Sequence, residues 1–183
     1  MNFSRMLLVA SLVAWPLHGF AAPTRSGSFL RGLFDQQWVA VKYDDLALTR
    51  GSKPEIRAFA QSELDMYRAL GTKAQALDPG SADGILATLA DGKSHDTNTR
   101  KLVDDTALLA ALNGDRFDKE YLLRVVFAHQ RMIRHDLREI DGPGGNPAML
   151  DYAHAMLSTV NDQTETANNL YSGQVNPPGP PPR

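Results

Sequence analysis

A long segment with helical periodicity, followed by a strong turn signal, constrains the fold of this chain more than any other feature. In FDKEYLLRVVFAHQRMIRHDLREI, from Phe117 to Ile140, apolar side chains recur every three to four residues, which is the period of an amphipathic helix that buries one face. Asp115 is the candidate N-cap, and the sequence DGPGGNP ends the segment because no helix continues through such a run of glycine and proline. The pattern predicts one long helix with a single histidine, His129, in its apolar stripe.

Four further segments have the same periodicity, and no convincing alternation of apolar and polar residues indicates a strand. Ser52 is the candidate cap of the second segment, and Pro54 fills its first turn. The third segment is the weakest, with a break expected near Gly92. The approximate bounds of these segments are residues 28–50, 53–77, 85–111 and 147–171. Long stripes joined by turns predict an all-α fold, an up-and-down four-helix bundle with an additional helical excursion in the middle.

The first residues have the three-part pattern of a secretory signal peptide. One positive charge, Arg5, precedes an apolar run that ends at Leu17, and this run is too short for the roughly 20 residues that span a bilayer. We therefore expect cleavage after Ala21 and a periplasmic or secreted protein without stable membrane insertion. The expected organisation is a cleaved signal peptide at 1–21, a short leader at 22–27, a helical bundle domain at 28–172 and a disordered proline-rich tail at 173–183.

Charge and cysteine content exclude several classes of function. The chain has 19 Lys and Arg against 21 Asp and Glu, and loss of Arg5 with the signal peptide leaves 18 against 21, a formal charge of −3. This mild balance provides no electrostatic surface for nucleic acid. The chain has no cysteine, so neither disulfides nor thiolate ligands are available. The expected partner is an envelope protein or a small ligand.

Three fragments of the chain are distinctive enough to compare with a known family. They are FLRGLFDQQWVAVKYDDLALTRGSKPEIRAFAQ at 29–61, GDRFDKEYL at 114–122 and AHQ at 128–130. Together they resemble an exported bacterial ferritin-like family, domain-of-unknown-function family 4142. The resemblance extends from about Phe29 to Leu170 and implies that the four-helix bundle is ferritin-like.

Members of that family typically carry a glutamate in the first helix, aspartate-histidine pairs in the second and in the long helix, and a histidine in the last. At these positions this chain has Ala40, Met66 and Tyr67, Ala128 and His129, and Gln163. Only His129 matches the pattern. The ferritin-like shape implies a metal role for such positions, and the missing side chains indicate that the site in this chain is degenerate.

By helical phase, several polar side chains on or near the inward stripes form a candidate polar core site. His129, Tyr67 and Gln163 offer an imidazole, a phenol and an amide, which make a poor metal site and a reasonable hydrogen-bond network. Mutual pairing is expected because each unsatisfied buried donor or acceptor costs about 1 to 3 kcal/mol. Glu63 lies at the edge of the same stripe, one turn before Tyr67. We expect it to face solvent, whereas an inward orientation would add a carboxylate beside His129.

A metal site is the alternative hypothesis, although no cofactor is favoured. The Glu-x-x-His pair that di-iron bundles use does not occur in the chain. An imidazole-thioether site for copper would use His129, Met132 and His154. An iron site would occupy the degenerate ferritin-like positions.

With no nucleophile, nucleotide or cofactor motif, the sequence favours a non-enzymatic protein of unknown molecular activity, an interaction or envelope-maintenance module. The competing interpretation is a metal-binding or redox protein centred on His129. A leucine in place of His129 is expected to leave the fold intact. The polar side of the long helix, which includes His135 and Asp136, is expected to face solvent.

Overall fold

A computed structural model describes the chain at residues 25–77, 105–140 and 146–175, and helices account for nearly all of them. The long helices are α1 (Arg25–Arg50), α2 (Pro54–Leu77), α3 (Gly114–Ile140) and α4 (Pro147–Val175). Residues 105–110 form a shorter helical segment. These ranges contain no strand, which confirms the all-α prediction. No helix within them has the length and apolar character needed to cross a membrane.

The observed helix bounds lie within a few residues of the predicted ones. α1 begins at Arg25 and so includes the last residues of the expected leader. α4 extends to Val175, into the expected tail, because the first proline after Tyr171 is Pro177 and the residue before a proline disfavours helix. The signal peptide, the break near Gly92 and the remainder of the tail lie outside the described residues.

Gly51 and Ser52 shape the link between α1 and α2. The N–H of Gly51 donates to the carbonyl of Ala47 at 2.9 Å, and a Cβ on Gly51 would lie 2.7 Å from that oxygen. Ser52 directs both its N–H and its hydroxyl to the carboxylate of Asp118, while the carbonyl of Lys53 accepts the first hydrogen bonds of α2. The prediction that Ser52 caps α2 is wrong, because a carboxylate is a stronger acceptor for its hydroxyl and lies close by in α3.

The helices pack in the cyclic order α1, α2, α4, α3, and α1 and α4 each contact both α2 and α3. Ser52, just before α2, contacts Asp118, and Glu63 contacts His129 further along both helices. α2 and α3 therefore run in the same direction, and the strict up-and-down alternation predicted from the sequence is wrong at this step. Residues 78–113 connect the end of α2 to the opposite end of the bundle, and a connection of this length accommodates such a return.

The buried apolar residues form two clusters that succeed each other along the helices. The first cluster lies between the beginnings of α1 and α4 and the ends of α2 and α3, and its members include Leu33, Leu70 and Met132. The second takes the opposite ends, with Phe59 and Phe117 among its members. The stretch where one cluster gives way to the other is where the polar side chains of the core lie.

Candidate functional site: a buried polar layer

A polar layer separates the two apolar clusters and includes at least one side chain from each long helix. Asp44, Glu63 and His129 are fully buried, and Thr164 is partly buried. Each is flanked by buried residues one turn before and one turn after, in the stripes Ala40-Asp44-Ala47, Ala60-Glu63-Tyr67, Val125-His129-Met132 and Val160-Thr164-Ala167. Helical periodicity therefore turns all four polar side chains inward. We define the polar layer as these four residues together with the phenols of Tyr67 and Tyr121.

His129 is the most connected member of the polar layer and uses both ring nitrogens. Its Nε2 lies 2.7 Å from Oε2 of Glu63 and 3.1 Å from the hydroxyl of Tyr67. Its Nδ1 lies 3.1 Å from the hydroxyl of Thr164, which donates to the carbonyl of Val160 at 2.6 Å. Groups from α2 and α4 thus hold the imidazole from both sides.

The hydrogen bond with the Thr164 hydroxyl places one proton on Nδ1 of His129 and so limits the forms of the His129–Glu63 pair. The one proton of this hydroxyl is donated to Val160, so the hydroxyl accepts a hydrogen bond from Nδ1–H of His129. A short contact between Nε2 and Oε2 of Glu63 then requires one further proton between the two atoms. The pair is either imidazole with glutamic acid or imidazolium with glutamate. In both forms its net charge is zero, which avoids the large cost of an isolated buried charge.

Asp44 lies on α1 and is held by Tyr121 of α3, whose hydroxyl donates to Oδ1 at 2.7 Å. Burial raises the pKa of Asp44 well above its ordinary value, and the negative charge of Glu63 raises it further, against the lowering effect of the Tyr121 hydrogen bond. The protonated carboxyl is therefore favoured relative to that of an exposed aspartate.

The two phenols of the polar layer are held in their protonated form. Burial raises the pKa of Tyr67 and of Tyr121 well above that of an ordinary tyrosine, and the carboxylates of Glu63 and Asp44 raise both further. Each hydroxyl consequently acts as a donor. The Tyr67 hydroxyl lies 3.3 Å from Oε2 of Glu63 as well as close to His129.

Two carboxyl oxygens of the layer, Oδ2 of Asp44 and Oε1 of Glu63, have no hydrogen-bond partner in the part of the chain that the structure describes. An unpaired buried acceptor costs about 1 to 3 kcal/mol. These two oxygens are the acceptors that the layer leaves free beyond its own hydrogen bonds.

The structure brings together three of the four side chains that the sequence places in a polar core site. His129, Tyr67 and Glu63 are in mutual contact, and the expectation that Glu63 faces solvent is wrong because its carboxyl pairs with His129. Gln163 is partly buried and its amide donates to the hydroxyl of Ser62 at 3.3 Å, outside the layer. Its neighbour Thr164 takes the inward position, since one residue corresponds to about 100° of helix rotation.

Sequence reasoning missed Asp44, Tyr121 and Thr164 as members of the layer. Asp44 follows Ala40 by four residues, so its position on the same face of α1 is a signal that the sequence offers. Ala40 itself lies in the apolar core. Tyr121 fits the apolar stripe of α3, and nothing in the sequence separates it from other core aromatic residues.

The three side chains of the copper hypothesis are not brought together. Met132 is buried in the first apolar cluster, His154 is exposed on α4, and both nitrogens of His129 are hydrogen-bonded. Across residues 25–77, 105–140 and 146–175, no group of three or more histidine, aspartate or glutamate side chains is arranged to hold a metal ion.

A further carboxyl is buried near the end of α3, outside the polar layer. Asp136 is fully buried, neither of its oxygens has a partner among the described residues, and burial raises its pKa to about 8. The adjacent His135 stacks on Phe29 with ring centroids 5.1 Å apart, and its Nε2 lies 3.0 Å from the Phe29 carbonyl. The expectation that both residues face solvent is wrong, because α1 and α4 both pack on α3 and cover more of its circumference than the apolar stripe.

Four long helices around buried ionisable side chains define an all-helical bundle protein with a polar layer in its core. The family model described as Domain of unknown function (DUF4142) matches residues 21–170. The chain belongs to this family, which confirms that part of the resemblance that names family 4142. No curated protein and no solved structure matches the chain.

Proposed function

We propose that this chain is an exported, non-enzymatic helical-bundle protein that acts as an interaction or envelope-maintenance module, with the polar layer as a structural element in place of a degenerate ferritin-like site. The observation that carries this proposal is the closed hydrogen bonding of His129. Both ring nitrogens are engaged by side chains of α2 and α4. A histidine that binds a metal must have one nitrogen free of such a bond.

The burial of the layer supports the same conclusion. Asp44, Glu63 and His129 have no exposed surface, so a substrate reaches them only if the helices separate. Paired polar groups inside a bundle favour one packing arrangement over others, because any other alignment leaves them unsatisfied.

Topology and sequence support the remaining parts of the proposal. Parallel α2 and α3, joined by a single long connection, are the arrangement of ferritin-like bundles. The charge, apolar run and small residues of residues 1–21 support export to the periplasm or beyond.

Export is tested by expressing the full chain in a bacterial host and measuring the mass of the protein in the periplasmic fraction. A mature protein that begins at Ala22 is expected. A protein that stays in the cytoplasm with residues 1–21 attached would refute this part of the proposal.

The structural role of the layer is tested by elemental analysis of the purified mature protein and by thermal melts with added iron, manganese, zinc or copper. A ligand that binds the native state must raise its stability. We expect metal-free protein and unchanged melting temperatures with every metal.

A metal-binding or redox protein is the second candidate, and the two unpartnered oxygens of Asp44 and Glu63 favour it. Carboxylate oxygens suit iron or manganese better than copper. On this hypothesis iron raises the melting temperature, and Asp44→Asn and Glu63→Gln abolish the rise. The exposed His154→Ala variant is the matched control and keeps it.

A further inference from the structure

The outer side of α3 forms a pocket that takes no part in the polar layer. Its volume is about 560 Å³, within the range of roughly 300 to 1,000 Å³ that is usual for small-molecule sites. The pocket combines apolar and charged walls and is lined by Tyr43, Asp105, Glu120, Leu123, Arg124, Phe127, Arg131 and Arg134.

Both acidic residues of this pocket are paired with one of its three arginines. The guanidinium of Arg124 lies 2.8 Å from the carboxylate of Glu120 and 3.4 Å from that of Asp105, and it also lies over the ring of Tyr43. One guanidinium therefore offsets one of these two negative charges, and the lining as a whole, with three arginines against two acidic residues, has a net charge of +1.

The other two arginines carry the excess positive charge. Among the described residues no carboxylate forms an ion pair with Arg131 or Arg134. Arg131 is partly buried, and its Nε–H is shielded from water without an acceptor, an unfavourable state for a group with five donors. A carboxylate or a phosphate satisfies such a guanidinium through two parallel hydrogen bonds.

An exposed aromatic ring lies beside these cations. Phe127 is 60% exposed, unusual for a phenylalanine, and it precedes Arg131 by four residues and Arg134 by seven. These spacings place the three side chains on one face of α3. The pocket thus presents unpaired guanidinium groups next to an apolar surface.

We propose that this pocket binds a small organic anion, a carboxylate or phosphate monoester that carries an aromatic or alkyl group. The anionic group lies on Arg131 and Arg134, and the apolar group lies on Phe127. The proposal is independent of the role of the polar layer, since none of these residues belongs to it.

The test is calorimetric titration of the full mature chain with phenyl phosphate and with benzoate at low ionic strength, where screening is weak. Benzyl alcohol, which lacks the charge, and inorganic phosphate, which lacks the ring, are the matched control ligands. We expect saturable binding of at least one aromatic anion, and the preferred one identifies the anionic group. Both controls should bind at least tenfold more weakly.

Variants locate the site. Arg131→Gln and Arg134→Gln should each weaken binding about tenfold, equal to about 1.4 kcal/mol. Phe127→Ala should weaken binding of the aromatic anion and leave binding of inorganic phosphate unchanged. Arg138→Gln changes an exposed arginine of α3 outside the pocket and should have no effect.

Changes in backbone amide chemical shifts on titration of the unaltered protein locate the site without any substitution, and we expect them between residues 120 and 134. Absence of saturable binding, equal binding of benzyl alcohol, or an equal loss with Arg138→Gln would each overturn the proposal.

Discussion

At the scale of single residues, the pair formed by His129 and Glu63 determines what a substitution at either position costs. His129→Leu would leave the Glu63 carboxyl, the Tyr67 hydroxyl and the Thr164 hydroxyl without their shared partner. Removing one member of a buried pair costs about 3 to 5 kcal/mol, so we expect a loss of this size in the free energy of unfolding, measured in urea. This reverses the expectation from sequence that leucine is tolerated at this position.

The control for this substitution is His154→Leu, since His154 is exposed on α4 and should change stability little. A His129→Leu protein as stable as the unaltered chain would contradict the pairing described here.

Asp136 gives the protein a pH dependence opposite to that of a salt-bridged carboxylate. Its pKa is about 8 in the folded protein against 3.8 as the ordinary value, so between these pH values the folded state binds more protons than the unfolded state. The free energy of unfolding should therefore fall as pH rises from about 4 to about 8 and then level off. Asp136→Asn removes the ionisable group and should flatten this part of the profile.

Urea unfolding at pH 5, 7 and 9 measures this effect, with the advantage of Asp136→Asn over the unaltered chain increasing with pH. Asp151→Asn, at an exposed position of α4, is the control and should leave the profile unchanged. Parallel profiles for Asp136→Asn and the unaltered chain would show that Asp136 is not the titrating group.

At the scale of helices, we expect alanine to have opposite effects on stability at two glycines, Gly51 and Gly71. A Cβ at Gly51 would lie 2.7 Å from the carbonyl oxygen of Ala47, whereas a Cβ at Gly71, inside α2, has nothing within 4 Å. Gly51→Ala must shift the backbone at the end of α1 and should cost more than about 1 kcal/mol. Gly71→Ala should stabilise the protein by up to about 1 kcal/mol through helix propensity. Melting temperatures that shift in the same direction for both variants would contradict this.

Helix positions can be predicted from this sequence, whereas the relative direction of the helices cannot. The beginning of α2 and the end of α3 are encoded locally. Pro54 fits only the first turn of a helix, and the glycines and prolines after Ile140 stop a helix. The relative direction of α2 and α3 depends instead on the path of residues 78–113, which helical phase does not encode. Asp44 was missed because a carboxylate on an apolar stripe usually lies at its exposed margin.

At the scale of the whole molecule, the polar layer is displaced by one turn from the positions that the family resemblance implies. Asp44 follows Ala40 by four residues, and Glu63 precedes Tyr67 by four. Because α1 and α2 run in opposite directions, both displacements lead towards the link at Gly51. His129 remains in place and pairs with the displaced Glu63. The core of this chain thus has an ionisable centre that lies nearer to Gly51 than the resemblance implies.

This layer as a unit should be dispensable for folding, although none of its members is dispensable alone. A combined variant with Asp44→Leu, Glu63→Leu, His129→Leu, Thr164→Val, Tyr67→Phe and Tyr121→Phe would replace the layer by apolar groups and join the two apolar clusters. Replacing a complete buried polar network by apolar residues of similar volume is often neutral or stabilising by about 1 to 4 kcal/mol. We therefore expect the urea midpoint of the combined variant to equal or exceed that of the unaltered chain and to lie well above that of His129→Leu alone. A combined variant no more stable than His129→Leu would mean that the bundle depends on the shapes of these side chains as well as on their pairing, because no polar group of the layer would then remain to be satisfied.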